Sequence, residues 1–195
     1  ELTATIIRQV GDLRKMVDEF SSFARLPKPV FRAEDASDLV RQSLFLQEVA
    51  HTQIAYSFAS DEQHYPLQCD RHQFGQCMTN VLKNAVEAIE IKSKTDDMDY
   101  RGQIAVMLTG DAETVTISVT DNGIGLPAER DRILEPYMTT REKGTGLGLA
   151  IVHKIIEEHG GEMAFTAQPS GGTCVTMRFA RDPLLNSATS GTEQD

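Results

Sequence analysis

Apolar residues follow helical spacing over residues 2–25, at the start of the chain. Two apolar rows recur every seven residues: Ile6, Leu13 and Phe20, and beside them Val10, Val17 and Ala24. The combined stripe is wider than a two-stranded coiled coil needs and is typical of a four-helix bundle. It is about 36 Å long at helical rise, more than a small domain covers. Although such a helix can also pack on its own domain, we predict that it pairs two chains and that a partner helix precedes residue 1.

Pro27 and Pro29 end this helical pattern, because each proline disfavours helix in the residue before it. We expect a linker over residues 27–33, with a short extended piece at 30–32. Asp35 or Ser37 is the expected N-cap of the next helix. The later pattern predicts helices over residues 35–50, 71–91 and 147–159, and strands over 53–59, 65–69, 103–109, 114–120, 162–167 and 173–180.

This order of elements predicts an α/β fold over residues 34–181. The expected architecture is a two-layer α/β sandwich, a mixed sheet with helices on one face, preceded by the long dimerisation helix of residues 1–26. Residues 182–195 are polar and small, and we expect them to form a disordered tail.

Composition narrows the classes of partner. The net charge of −10 argues against nucleic acid, because phosphate binding needs a basic face. No apolar run approaches the roughly 18 residues that cross a bilayer, so we expect no membrane contact by this part of the protein. Cys69, Cys77 and Cys174 are odd in number and lack CxxC spacing, which favours reduced thiols in a cytoplasmic protein over disulfides or a zinc site.

The predicted helix over residues 71–91 places Asn80, Lys83, Asn84 and Glu87 on one face. Asparagine is unfavourable inside helices, so two of them one turn apart indicate a further role. An amide oxygen is a hard, neutral ligand that suits Mg²⁺, which also bridges phosphate oxygens. The alternative is a solvated helix face, but the glycine turn about forty residues later favours a nucleotide site.

That glycine turn is Asp121-Asn122-Gly123-Ile124-Gly125, at the end of a predicted buried strand. A carboxylate there can accept a hydrogen bond from the exocyclic amine of adenine, and it would reject guanine, which offers an oxygen at that position. Gly123 and Gly125 let the backbone turn and approach the base closely. An Asp-Asn-Gly sequence by itself indicates only a turn.

A second glycine cluster opens the predicted helix at residue 147. It reads Gly144-Thr145-Gly146-Leu147-Gly148-Leu149. Free amides at a helix N-terminus favour phosphate groups, although the stretch is neither a Walker loop nor a Rossmann fingerprint. Arg141 and Lys143 would neutralise the outer phosphate unless they are simply solvated. Thr173, after the turn at Gly171-Gly172, is placed to reach a phosphate from the far side.

Taken together, these stretches resemble the conserved boxes of sensor histidine kinases. The N, G1, F, G2 and G3 boxes match Asn80-xxx-Asn84, Asp121-x-Gly123-x-Gly125, the Tyr137 region, Gly144-x-Gly146-x-Gly148 and Gly171-Gly172-Thr173. Their order and spacing follow the family over about residues 32–180. The end of the first helix, residues 16–29, is similar to the second dimerisation helix of NtrY-type nitrogen-regulation kinases.

The resemblance implies a Bergerat ATP-binding fold, with Asn80 and Asn84 as catalytic asparagines. It implies Mg²⁺ on Asn84, adenine on Asp121, and an ATP lid over residues 126–143. Tyr137 stands where the family often has phenylalanine. Lys83 and the residues of both glycine stretches would complete the ATP site.

The implied activity is transfer of the γ-phosphoryl group of ATP to a histidine, with relay to a response regulator receiver domain. The family's acceptor histidine lies in a box that matches none of the five histidines of this chain: His51, His64, His72, His153 and His159. We therefore expect the acceptor outside this chain, and a homodimer formed through the first helix. The full-length protein is expected to be anchored in the bacterial inner membrane, with this part in the cytoplasm.

Two alternatives remain from other functional classes. Gyrase- and Hsp90-like ATPases are similar in fold but have a glutamate base four residues before the Mg²⁺ asparagine, where this chain has Asn80. An ATPase would need a substitute base such as Glu87. A regulator that binds nucleotide without catalysis is the other alternative.

Overall fold

The amino-terminal helix predicted from the seven-residue repeat is present as α1, Leu2–Ala24. The computed structural model describes residues 2–95, 99–126 and 146–183. The apolar side chains of α1 are 47–68% exposed at Ile6, Ile7, Val10, Leu13, Val17 and Phe20. A single copy of the chain therefore leaves the stripe of α1 open to solvent. None of the helices in the described ranges is long and apolar enough to span a membrane.

The chain divides into two compact units, Glu1–Lys28 with Pro127–Ile151, and Pro29–Leu126 with Val152–Asp195. The elements after α1 are β1 (Arg32–Asp35), α2 (Ala36–Ala50), β2 (Ala55–Ser60), β3 (Pro66–Cys69), α3 (Arg71–Ser93), β4 (Gln103–Gly110), β5 (Thr114–Asp121), α4 (Gly148–Glu158), β6 (Glu162–Ala167) and β7 (Thr173–Ala180). Each helix and strand predicted from the sequence after the linker is present, with ends shifted by a few residues.

The main sheet has five strands in the order β2-β4-β5-β7-β6. β2 runs parallel to β4 and the remaining pairs are antiparallel, so the sheet is mixed as predicted. α2 packs on β2 and α3, and α3 packs on β4 and β5. Burial alternates along β5, with Val115, Ile117 and Val119 in the core. The predicted fold, a mixed sheet with helices on one face, is confirmed.

Two short strands differ from the expectation. The extended piece expected at residues 30–32 is β1, which begins at Arg32 and ends at Asp35. β1 pairs with β3 in a separate two-stranded sheet, with Arg32 opposite Cys69. Strand patterns of four residues predict extended backbone but not the pairing partner, which depends on tertiary contacts.

Acidic caps fix the starts of α2 and α3. Asp35 accepts the N–H of Ser37 at 2.9 Å, which confirms the first of the two predicted N-caps. Asp70 accepts the N–H groups of His72 and Gln73 at 2.9 and 3.1 Å. Each cap satisfies amide groups that the first helical turn leaves unpaired.

The three cysteines are free thiols, as the odd count predicted. Cys69 and Cys77 are buried, and burial raises the pKa of the Cys69 thiol to about 12. Burial also raises the pKa of Cys77 far above its ordinary value. Both side chains therefore pack as small neutral groups in the core.

Candidate nucleotide site

The packing of α3 orients the two asparagines. The side of the helix that faces the core is apolar and buried, at Phe74, Cys77, Met78, Val81, Leu82 and Ala85. Asn80 and Asn84 lie on another face and are half-buried, one turn apart. Lys83 is exposed, with its Nζ 4.0 Å from Glu87 Oε1. Such an exposed ion pair contributes little to stability. This face of α3 therefore presents two side-chain amides beside an ammonium group that is only weakly paired.

Asp121 is the last residue of β5 and is 6% exposed. It pairs with Ile104 in the antiparallel ladder, which fixes its backbone. Its Oδ1 accepts the N–H of Gly123 at 2.8 Å, so the carboxylate is also oriented by its own turn. A buried carboxylate needs hydrogen-bond donors. The Asp121 carboxylate can accept a further hydrogen bond from an amine on a bound base.

The turn after β5 lies directly on α3. A Cβ at Gly123 would lie 2.6 Å from the carbonyl carbon of Ala88, so no larger residue fits without displacing backbone. The N–H of Ile124 donates to the carbonyl of Ala88 at 3.3 Å. Ala88 is one turn beyond Asn84, about 6 Å along the helix axis. The structure thus brings the acidic turn and the asparagine face of α3 together.

The hairpin before β7 covers the other side of the acidic turn. Gly172 has φ +96°, and a Cβ there would lie 2.0 Å from the carbonyl oxygen of Asp121. Gly125 lies against the same hairpin, where its Cβ would be 3.5 Å from Gly172 O. Thr173, which starts β7, is 7% exposed. Gly172 is therefore required both for its backbone angle and for this close approach.

Asn122 makes polar contacts with four residues outside the turn, which the sequence did not indicate. Its Nδ2 donates to Arg101 O at 2.8 Å, and its Oδ1 accepts Gln103 N–H at 2.8 Å. Its N–H donates to Gln103 O at 3.3 Å. The Tyr100 hydroxyl lies 3.1 Å from both oxygens of Asn122, and Lys92 Nζ donates to the carbonyl at 3.0 Å. We call Lys92, Tyr100 and Asn122 the Asn122 clamp.

The second glycine stretch is described from Gly146 onward. Gly146 has φ +71°, Leu147 is fully buried, and α4 begins at Gly148, followed by Leu149. The predicted helix start is thereby confirmed. Tyr137, Arg141, Lys143, Gly144 and Thr145 lie outside the described residues, as does the predicted lid apart from Leu126.

The described part of the chain has no cluster of the side chains that most often bind metals. It contains no group of three or more His, Cys, Asp or Glu side chains that could hold a metal ion. Mg²⁺ is usually held by one or two protein oxygens, several waters and substrate phosphates. The amide of Asn84 on a half-buried helix face fits that kind of site.

His159 is a core histidine with both nitrogens bonded. Its Nε2 accepts the N–H of Asp70 at 3.1 Å, and its Nδ1 lies 2.7 Å from Ile155 O and so carries the proton. Burial lowers the pKa of His159, which keeps the ring neutral. His159 therefore joins the end of α4 to the cap of α3, which is a structural role.

Residues 69–183 match the family of histidine kinase-, DNA gyrase B- and HSP90-like ATPases. The match covers more than half of the chain and contains every box residue from Asn80 to Thr173. The chain belongs to this family. The fold agrees, because the catalytic domain of the histidine kinase ThkA superposes with a TM-score of 0.67 at 28% identity, covering 80% of this chain and 98% of that one.

Two further likenesses place the chain within this family of ATPases. It is 51% identical to the nitrogen regulation protein NtrY of Azorhizobium caulinodans over 172 residues, which is 88% of this chain and 22% of NtrY. Full-length ShkA in complex with AMPPNP superposes with a TM-score of 0.74 at 26% identity, covering 91% of this chain and 38% of that one. The predicted resemblance to sensor histidine kinases is confirmed, and the chain spans about a fifth of the length of NtrY.

Proposed function

We propose that this chain binds ATP with Mg²⁺ and supplies the catalytic half of a protein-histidine kinase. The observation that carries the proposal is the contact of the Asp121 turn with α3 one turn beyond Asn84. A base held at Asp121 would leave its phosphates near the asparagine face. Membership of the family and the likeness to a histidine kinase catalytic domain support the same assignment.

Each residue of the site takes a distinct part in this proposal. Asp121 accepts the exocyclic amine of adenine, and Gly123 and Gly125 allow the base to approach the backbone. Asn84 would hold Mg²⁺, which would neutralise charge on the phosphates, and Asn80 would contact the nucleotide beside it. The remaining nucleotide contacts come from Lys83, Thr173, Tyr137, Arg141, Lys143, Gly144, Thr145, Gly146, Leu147, Gly148 and Leu149.

Transfer is favoured over hydrolysis by the chemistry of α3. The related ATPases hydrolyse ATP with a base that takes a proton from water, and the amide of Asn80, which stands in the place of that base, cannot accept a proton at neutral pH. Glu87 shares the face, but its carboxylate lies 4.0 Å from the ammonium of Lys83. Phosphoryl transfer needs mainly positioning and charge stabilisation, which the asparagine face and glycine turns supply.

The missing components belong to the longer protein. The acceptor histidine lies outside this chain, and the phosphoryl group passes from it to a response regulator receiver domain. The exposed stripe of α1 supports a homodimer, because six large apolar side chains on one helix need a partner surface. The full-length sensor is anchored in the bacterial inner membrane, with this part on the cytoplasmic side.

Phosphoryl transfer in trans tests the proposal. The chain is mixed with γ-labelled ATP and Mg²⁺, alone and with a separate helical domain that carries a phosphoacceptor histidine. We expect acid-labile label on the added domain and none on the chain itself. Stoichiometric label on the chain would contradict the placement of the acceptor. Steady phosphate release that Glu87→Gln abolishes would indicate an ATPase, and binding without transfer would indicate a regulator.

A further inference from the structure

The Asn122 clamp joins three separate segments at the acidic turn. Partners of Asn122 are 19 to 30 residues away in sequence, at Gln103, Arg101, Tyr100 and Lys92. An asparagine in a simple turn bonds to its own backbone one or two residues on. Asn122 instead bonds to residues 100–103, which lead into the start of β4, and to the last turn of α3. The clamp is thus a tertiary connection and not a feature of the turn alone.

Lys92 holds the clamp from α3. Its ammonium donates to Asn122 O and lies 5.1 Å from the centroid of the Tyr100 ring, within the range of a cation–π contact. A Cβ at Gly171 would lie 3.4 Å from the same nitrogen, so the hairpin before β7 borders it as well. One cation therefore contacts the acidic turn and the Tyr100 ring, and lies beside the hairpin.

The clamp is connected to the Asp121 carboxylate through the N–H of Gly123. The strand ladder fixes the backbone of Asp121, but Oδ1 is oriented by the N–H of Gly123, on the far side of Asn122. Any rotation of the Asn122 peptide groups moves that N–H relative to the carboxylate. The bonds of Lys92 and Tyr100 to Asn122 O hold the peptide that links Asn122 to Gly123.

We propose that Lys92, Tyr100 and Asn122 are positioning residues that set the preference of this site for adenine. They do so by holding the Asp121 carboxylate in the direction that meets the exocyclic amine of the base. The inference rests on the proposed nucleotide function and on the proposed contact of Asp121 with adenine. It assigns no contact of the clamp residues with the nucleotide.

The test separates the amine from the rest of the nucleotide. Dissociation constants are measured by calorimetry for ATP and for the triphosphate of purine riboside, which lacks the exocyclic amine, in the wild-type chain, Tyr100→Phe and Lys92→Met. The ratio of the two constants measures what the amine contributes. We expect each variant to reduce that ratio roughly 3- to 10-fold, as the loss of one hydrogen bond does, with purine riboside triphosphate bound nearly as before.

Tyr56→Phe is the matched control for the loss of a hydroxyl. Tyr56 is on β2, and its buried hydroxyl has no hydrogen-bond partner in the described ranges, so the ratio should not change. Thermal unfolding of each variant checks that it is folded. Equal weakening of both nucleotides, or an unchanged ratio, would overturn the role of the clamp. A ratio near one in the wild-type chain would instead overturn the contact of Asp121 with adenine, and the role of the clamp with it.

Discussion

Gly172→Ala tests whether the hairpin before β7 packs directly on the acidic turn. The new methyl would lie 2.0 Å from Asp121 O and 2.8 Å from the Cα of Asn122, and backbone atoms cannot rotate away. The residue also has φ +96°, where a side chain costs about 1–2 kcal/mol, and overpacking adds about 1–3 kcal/mol. We expect the free energy of unfolding to fall by roughly 2–5 kcal/mol, measured by urea denaturation followed by circular dichroism.

Gly75→Ala is the matched control for this substitution. Gly75 lies in α3, and a Cβ there meets nothing within 4 Å, so the same change should stabilise the helix by about 0.5–1 kcal/mol. ATP affinity should fall for Gly172→Ala, because the displaced backbone carries Asp121, and should hold for Gly75→Ala. If the free energy of unfolding of Gly172→Ala lies within about 0.5 kcal/mol of the wild-type value, the hairpin does not pack on the acidic turn as described.

Three further changes test other parts of the molecule. Asn84→Ala should weaken ATP binding, measured by calorimetry, about tenfold or more when Mg²⁺ is present, and much less when a chelator has removed Mg²⁺. Equal losses of ATP affinity under the two conditions would contradict the assignment of Mg²⁺ to Asn84. Asp70→Ala removes the cap of α3 and should lower the free energy of unfolding by about 1–2 kcal/mol, so an unchanged urea midpoint would count against the cap. For His159, a lowered pKa means that the unfolded chain binds the proton first as pH falls. The contribution of His159 to the free energy of unfolding is therefore full above its unfolded pKa of about 6.5 and declines as pH falls below that value. His159→Gln should make the free energy of unfolding depend less on pH below about 6.5. Parallel plots of unfolding free energy against pH for the two chains would contradict this.

Much of the fold follows from periodicity along the chain. The alternation over β5 and the helical spacing of Val81, Leu82 and Ala85 in α3 both report burial on one side, so element type and order were predictable. β1 and β3 were harder, because four-residue strands carry too few positions to indicate a partner. Tertiary context alone placed them in a sheet of their own.

The residues of the candidate site also differ in how clearly the sequence indicates them. Asp121, Gly123 and Asn84 stand out in the sequence because their residue types are unusual for their places in a strand end or helix. Asn122 does not, because Asp-Asn-Gly indicates a turn whatever the asparagine contacts. Its partners are supplied by segments up to 30 residues distant, which no local pattern reports. Lys92 lies one residue beyond the predicted end of this helix, whereas α3 continues to Ser93, so the sequence pattern did not indicate its bond to the acidic turn.

Calorimetric titration of ATP with Mg²⁺ into the wild-type chain and into Asp121→Asn is the most direct test of the adenine site. Removing a charged acceptor costs about 1.5–3 kcal/mol, so Asp121→Asn should bind ATP roughly 10- to 150-fold more weakly. Asp111→Asn is the control, because Asp111 lies before the opposite end of β5, where it accepts Glu113 and Thr114 N–H groups. Weakened binding in Asp121→Asn alone is the predicted result, and equal ATP affinity in all three chains would contradict the site.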